Sequence, residues 1–225
     1  GGMVGLPRFI NTRKGQQNSL MVAGSVMIGA ALSAKSPITI QSVTPIARLT
    51  EESGVVVVPS NSPFKTFGEF ASALRADPRK VPIAGGSAGG TDHVMLGLML
   101  KSMGKNPKEG AYVAFPGGGP ANAAIIGGQV AAGISGYSEF EEQIKGGRMR
   151  ALAVSGEVRI PGVDIATLRE NGMNVVALNW RGVFAAPGIP SSHRLELEKL
   201  MAAMRASKEW RDILVKRRWV DTFLA

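Results

Sequence analysis

Val55-Val56-Val57-Val58 is an unbroken β-branched run, closed by Pro59-Ser60-Asn61-Ser62-Pro63. A run so short and so uniformly apolar fits a strand buried on both faces, which requires helices on both sides of its sheet. The residues that follow repeat one grammar. A helix is predicted over 66–76, stopped by Asp77-Pro78. Strands are predicted over 81–84, 112–115, 129–134 and 149–154, with helices over 91–103, 121–126 and 138–145 between them. Ser138 with Glu141, and Thr167 with Glu170, have the spacing of capping boxes that start helices. Strands alternating with helices predict an α/β chain with a largely parallel sheet flanked by helices.

The tail follows a different pattern. After Pro187-Gly188-Ile189-Pro190, two amphipathic helices are predicted over 192–204 and 207–217. Leu195, Leu197, Leu200, Met201 and Met204 on the first, and Trp210, Ile213 and Leu214 on the second, read as core residues. Near the start, 20 uncharged residues separate Lys14 from Lys35, in the manner of a secretory signal. Gly24, Ser25 and Gly29 interrupt that run. It therefore reads as a strand over 19–23, a Gly24-Ser25 turn and a helix over 26–32, and it is too short in unbroken apolar residues to span a membrane.

Composition narrows the chemistry. The 225 residues contain no Cys, which excludes disulfides, thiolate metal sites and thiol nucleophiles, and the two His are far apart, so no metal or other cofactor is expected. The net charge is +9, but segments 1–54, 55–185 and 186–225 each net +3, and aromatics make up only 6%. Without a polybasic arm or a stacking motif, no nucleic-acid partner is expected, and a diffuse positive field suits a small anionic solute.

Glycine accounts for 29 residues, roughly twice the usual ~7% share. Three clusters fall where predicted strands lead into helices: Gly85-Gly86-Ser87-Ala88-Gly89-Gly90-Thr91-Asp92, Pro116-Gly117-Gly118-Gly119-Pro120 and Ser135-Gly136-Tyr137. Glycine lets backbone N–H groups approach a ligand, and the following helix start adds partial positive charge, so such loops can hold carboxylate or phosphate oxygens. Residues 85–90 nearly spell a nucleotide phosphate loop, but Thr91-Asp92 stand where Lys and then Ser or Thr are needed, and no dinucleotide fingerprint fits. Gly85-Gly86-Ser87-Ala88-Gly89 also spells Gly-x-Ser-x-Gly, so a serine acyl hydrolase with Ser87 as nucleophile is the alternative reading. Against it, three residues separate Ser87 from the helix start, and the candidate bases are only His93, one residue past Asp92, and His193 on a charged surface helix. Asp92 itself can cap the helix at Thr91, orient a water or face a ligand ammonium group; capping is the default reading.

Taken in order, Ala84 to His93, Tyr112-Val113-Ala114-Phe115 with its glycine triplet, Gly127-Gly128-Gln129-Val130, residues 146–154, Asn179-Trp180-Arg181-Gly182-Val183-Phe184-Ala185 and, upstream, Thr44-Pro45-Ile46-Ala47-Arg48-Leu49-Thr50 resemble the substrate-binding receptors of tripartite tricarboxylate transporters, the Bug family. The resemblance implies a two-lobed α/β fold of the type II periplasmic-binding-protein kind, each lobe a mainly parallel sheet flanked by helices. It implies a first lobe of residues 1–54 plus 186–225 and a second of 55–185, with the chain crossing near 52–58 and 183–187. It further implies an exported, periplasmic, monomeric and non-enzymatic receptor that takes a small di- or tricarboxylate between its lobes and passes it to membrane subunits. Carried over by position, the ligand residues are Gly24 and Ser25 from the first lobe, and Ser87, Ala88, Gly89, Thr91, Asp92, Phe115, Gly117, Gly118, Ser135 and Tyr137 from the second. Family members begin with an export signal and a first strand, glycine loop and helix; this chain starts with Gly1-Gly2 where the next helix is expected. The expectation is therefore a first lobe lacking its opening unit, and weak ligand affinity for these 225 residues alone.

Overall fold

A computed structural model describes residues 2–225; Gly1, where the start of the first helix is expected, lies outside the described residues. The chain divides into two compact units, residues 2–51 with Asn179–Ala225 and Glu52–Leu178. The second is built on strands β2 (Thr44–Pro59, of which residues 52–59 belong here), β3 (Ile83–Gly85), β4 (Tyr112–Ala114), β5 (Ala132–Gly136) and β6 (Met149–Val154). Their order across the sheet is β4-β3-β5-β2-β6. β3 pairs parallel with β4 and β5, while β2 runs antiparallel to both β5 and β6.

The valine run sits at the centre of this arrangement. Val55 to Val58 are each 0% exposed. Because side chains alternate across a strand, Val56 and Val58 enter one apolar cluster with Phe70, Leu74, Met99 and Ile134, and Val55 and Val57 enter another with Ile125, Phe140 and Val154. Helices α3 (Phe67–Ala76), α4 (Thr91–Ser102), α5 (Gly118–Ile126) and α6 (Tyr137–Lys145) supply the covering layers. α3 starts at a capping box in which the Thr66 hydroxyl accepts from Glu69 N and the Glu69 carboxylate accepts from Thr66 N.

Two other boxes turn out differently. Ser138 and Glu141 do not cap α6: the cap position is Gly136, the Ser138 hydroxyl donates to Glu52, and Glu141 pairs with Lys145 at 2.9 Å, one turn on. Thr167 and Glu170 do form their reciprocal bonds, of 2.7 and 3.0 Å, but these close a turn and no helix follows.

In the first unit, α1 (Gly2–Arg13) leads to β1 (Leu20–Gly24) and α2 (Ser25–Ser33), so the apolar run is a strand and a helix as predicted, but Gly24 ends the strand and Ser25 starts the helix with no separate turn between them. Leu6, Ala23, Met27, Val43 and Phe184 form the apolar cluster there. β1 pairs antiparallel with β7 (Leu178–Ala185), β7 neighbours β2, and β8 (Val220–Leu224) pairs antiparallel with β2. The sheets are therefore mixed: the parallel pairings belong to β3, β4 and β5, whereas the pairings of β1 with β7 and of β2 with β8 are antiparallel. β2 and β7 bring the chain into and out of the second unit, so no crossover helix dictates parallel pairing for them.

Helices α7 (Ser191–Ala206) and α8 (Lys208–Arg217) follow β7. Leu197, Met201 and Leu214 are buried as expected, but Leu195, Leu200 and Ile213 are 56%, 55% and 42% exposed. The apolar stripe on these helices is thus wider than the surface it covers among the described residues.

Ser155 fixes the end of β6. It is fully buried, its hydroxyl accepts from Gly54 N at 2.8 Å and donates to the Ala177 carbonyl. Ser155→Ala leaves the half-buried Gly54 N–H and Ala177 carbonyl short of a partner and should cost about 1–3 kcal/mol. Both tyrosines, Tyr112 and Tyr137, lie in the second unit, and the three tryptophans, Trp180, Trp210 and Trp219, lie in the first. The loss should therefore appear as a lower denaturant midpoint in tyrosine fluorescence, with the tryptophan-reported transition less affected.

Candidate functional site

The second unit presents three strand-to-helix loops at one end of its sheet. They leave β3, β4 and β5, which are adjacent and parallel, and enter α4, α5 and α6. Each helix start carries backbone N–H groups without intrahelical partners and the positive end of a peptide dipole.

The β3–α4 loop is held from inside. Gly86 N donates to Asp92 Oδ2 at 2.8 Å, Gly89 N to His93 Nδ1 at 3.0 Å, and Gly90 N to the Ser87 carbonyl at 2.9 Å. Tyr112 OH donates to the Gly86 carbonyl at 2.9 Å, and its ring stacks on His93 with centroids 4.4 Å apart and an 11° tilt. A Cβ on Gly85 would stand 2.3 Å from the Tyr112 hydroxyl oxygen, so glycine is required for this clamp, and Gly89 (φ +78°) takes the left-handed backbone. Asp92 thus folds back on the loop. Ser87 and Ala88 remain exposed at the tip, and Thr91 is half-buried at the start of α4.

The next two loops join the first. Phe115 N donates to the Gly85 carbonyl at 2.9 Å, and Gly117 adopts φ +126°, open to glycine alone, before α5 starts at Gly118. The Ser135 hydroxyl, at the end of β5, donates to Glu139 Oε2 at 3.0 Å, and that same oxygen lies 2.9 Å from where a Gly118 Cβ would stand. At the start of α6, Glu52, 2% exposed, accepts from Ser138 N at 3.1 Å and from its hydroxyl. A Cβ at Gly136 would meet that carboxylate at 2.5 Å. Tyr137 is 4% exposed, its side chain in the apolar cluster with Val55 and Phe140, so its ring offers no open platform.

Ser87, Ala88, Gly89, Thr91, Asp92, Phe115, Gly117, Gly118, Ser135 and Tyr137 therefore lie at three neighbouring strand-to-helix connections of one unit, the third of them direct: Ser135 is still in β5 and Tyr137 already starts α6. Gly24 and Ser25 belong to the first unit, at the start of α2, where a Cβ on Gly24 would stand 2.0 Å from the Trp180 carbonyl oxygen and the Ser25 hydroxyl donates to Asn179 Oδ1 at 2.8 Å. Sequence reasoning missed Tyr112, Glu52 and Glu139. His93 and Tyr112 had a local signal, since each adjoins a glycine loop. Glu52 had none, being 86 positions from Ser138.

The Gly-x-Ser-x-Gly stretch lies at the end of β3 and in the loop before α4. β3 ends at Gly85 and α4 starts at Thr91, so Ser87 does not stand at a strand-to-helix junction. His93 Nδ1 is committed to Gly89 N, and in the first unit the His193 nitrogens meet the Gln17 carbonyl at 2.8 Å and Glu196 at 3.0 Å.

Residues 12–216 match the family described as the tripartite tricarboxylate transporter family receptor. The chain belongs to that family. A protein of Pseudomonas sp. strain P51, named as the UPF0065 protein in the tcbD-tcbE intergenic region, is 31% identical over 158 residues, covering 66% of this chain and 46% of its own. The chain thus spans about half the length of that curated relative. Among solved structures, MatC from Rhodopseudomonas palustris with bound malate superposes with a TM-score of 0.83 at 23% identity, covering 98% of this chain and 76% of that one. An R. palustris protein with adipate gives 0.72 at 21%, covering 80% and 60%. These likenesses establish for this chain the α/β fold of type II-like periplasmic binding proteins. Among its described residues, no helix is long and apolar enough to cross a membrane.

The pKa values of the two histidines are shifted in opposite directions. Burial holds His93 below its ordinary value of 6.5, whereas the Gln17 carbonyl first and the Glu196 carboxylate second raise His193 above it. A lowered His favours the fold above pH 6.5 and loses that contribution as pH falls through its folded value; a raised His does so below pH 6.5 and loses it as pH rises through its folded value. Tyrosine-reported stability of the second unit should therefore fall on acidification below pH 6.5, with faster exchange of the Gly89 amide. Tryptophan-reported stability of the first should fall as pH rises above 6.5. His93→Gln and His193→Gln should each flatten only the profile of its own unit.

Proposed function

We propose that this chain is the ligand-binding part of a periplasmic receptor that captures a small di- or tricarboxylate and hands it to the membrane subunits of its transporter. It acts as a monomer, without catalysis, cofactor or nucleic acid. The observation that carries the reading is the grouping of three glycine-bearing helix starts at the ends of adjacent parallel strands, where ligands of open α/β sheets bind. Family membership supports it, and so do the malate and adipate held by the two solved relatives. The exposed Ser87-Ala88 tip and Thr91 take one carboxylate, and the Phe115 to Gly118 loop with Ser135 takes the other end of the solute. Gly24 and Ser25 are the contribution of the first unit. Gly89, Asp92 and Tyr137 shape these loops from behind, through the His93 bond, the Gly86 bond and the apolar cluster respectively. Backbone groups read charge and shape, so one scaffold of this kind serves solutes that differ in chain length.

A carboxylate that binds the folded chain raises its stability by mass action, by about 1.4 kcal/mol at ten times Kd. A thermal-shift screen of malate, adipate and citrate, with amide NMR titrations able to resolve millimolar constants, should show at least one ligand shifting Ser87, Ala88 and Gly118. Gly117→Ala puts a side chain at φ +126°, a strain of about 1–3 kcal/mol that the free loop relieves by leaving this conformation and that binding has to restore, so it should weaken that binding by about tenfold. Silence of all three ligands, or ester hydrolysis abolished by Ser87→Ala, would overturn the reading.

A further inference from the structure

We propose that Glu139 determines specificity at this site: its carboxylate sets how much negative charge the ligand can bring to the start of α5. The inference rests on the reading that the glycine loops of the second unit hold the ligand.

Protein carboxylates stand at all three helix starts, but they are not equivalent. Asp92 is half-buried and bonds Gly86 of its own loop. Glu52 is buried and takes the N–H and hydroxyl of Ser138. Both are fixed by bonds that hold a loop or a helix end. Glu139 is exposed, and the start of its own helix is already served by Glu52. It reaches instead from the first turn of α6 to the first residue of α5, with Oε2 bonded to Ser135 and resting on Gly118. Gly118 and Ser135 are two of the residues assigned to the ligand.

A negative charge placed there opposes the attraction of the α5 start for an anion. The surrounding unit does little to offset it: residues 52–178 carry 12 Lys and Arg against 11 Asp and Glu, a net of +1. Repulsion grows with the charge on the ligand, so the site disfavours fully ionised tricarboxylates relative to solutes with fewer ionised groups. The ligand class is a small carboxylate with one ionised end on the Ser87 loop and a less charged end toward Glu139.

The test compares the full chain with Glu139→Gln, which keeps an acceptor for Ser135 and removes the charge, and with Gly118→Ala, whose methyl displaces the flexible end of Glu139. Propionate, succinate and tricarballylate form a series of one, two and three carboxylates without hydroxyl groups, titrated by amide NMR at pH 7. Glu139→Gln should tighten tricarballylate by about tenfold, succinate by about threefold and propionate by less than about twofold, the modest size reflecting solvent exposure. Gly118→Ala should shift affinities in the same order, and high salt should compress all the differences. An equal change for the three probes, no change, or weaker binding in Glu139→Gln would overturn the inference while leaving the receptor reading intact. Flat titrations for all three proteins with every probe would overturn both.

Discussion

Unpaired backbone N–H groups at the starts of α4, α5 and α6 are the constraint around which the second unit is built. A helix cannot satisfy its own first four donors, and parallel strands β3, β4 and β5 deliver three such ends to one edge of the sheet. Glu52 takes up part of that demand by accepting from Ser138 N at the start of α6, while Asp92, His93 and Tyr112 fix the loop that precedes α4 through Gly86 and Gly89. What stays open is the Ser87-Ala88 tip and the approach to Gly118. Gly85 and Gly136 leave room for Tyr112 and Glu52 to reach main-chain groups.

The alternation of strand and helix was legible because burial writes a simple pattern. Val55 to Val58 feed two clusters on opposite faces, and only a central strand does that. The interruption at Gly24-Ser25 likewise separated β1 from α2. What could not be read was pairing between distant segments. Residues 44–52 carry Arg, Thr and Glu and lack a strand-like apolar run, yet they extend β2 because β7 and β8 supply hydrogen-bonding edges. β8 was missed for the same reason, since Val220-Asp221-Thr222-Phe223-Leu224 follows three basic residues and has no apolar run of its own.

The site divides along the same line. Its loops announced themselves through glycine, because conformational need at Gly89 and Gly117 is local. The side chains that tune them did not. The box expected of Ser138 and Glu141 is chemically sound, but a buried carboxylate from β2 competes for Ser138 and wins, leaving Glu141 to pair with Lys145. The Thr167 and Glu170 box forms, and still no helix propagates, because local bonds start a turn but packing has to continue it.

Charge divides differently from what three equal thirds of the sequence suggest. Cut at the units that the fold defines, residues 2–51 with 179–225 carry 14 basic and 6 acidic side chains, a net of +8, against +1 for residues 52–178. The overall +9 is therefore almost entirely a property of the first unit. A long-range field of this kind speeds the encounter with an anion but does not choose among anions, since it is screened within about 10 Å at ordinary salt. On the proposed reading, choice is made at contact distance, and on the loops of the second unit, where the net charge of the unit is close to zero, single groups such as Glu139 count. A substitution that alters the long-range field need not then alter discrimination at contact.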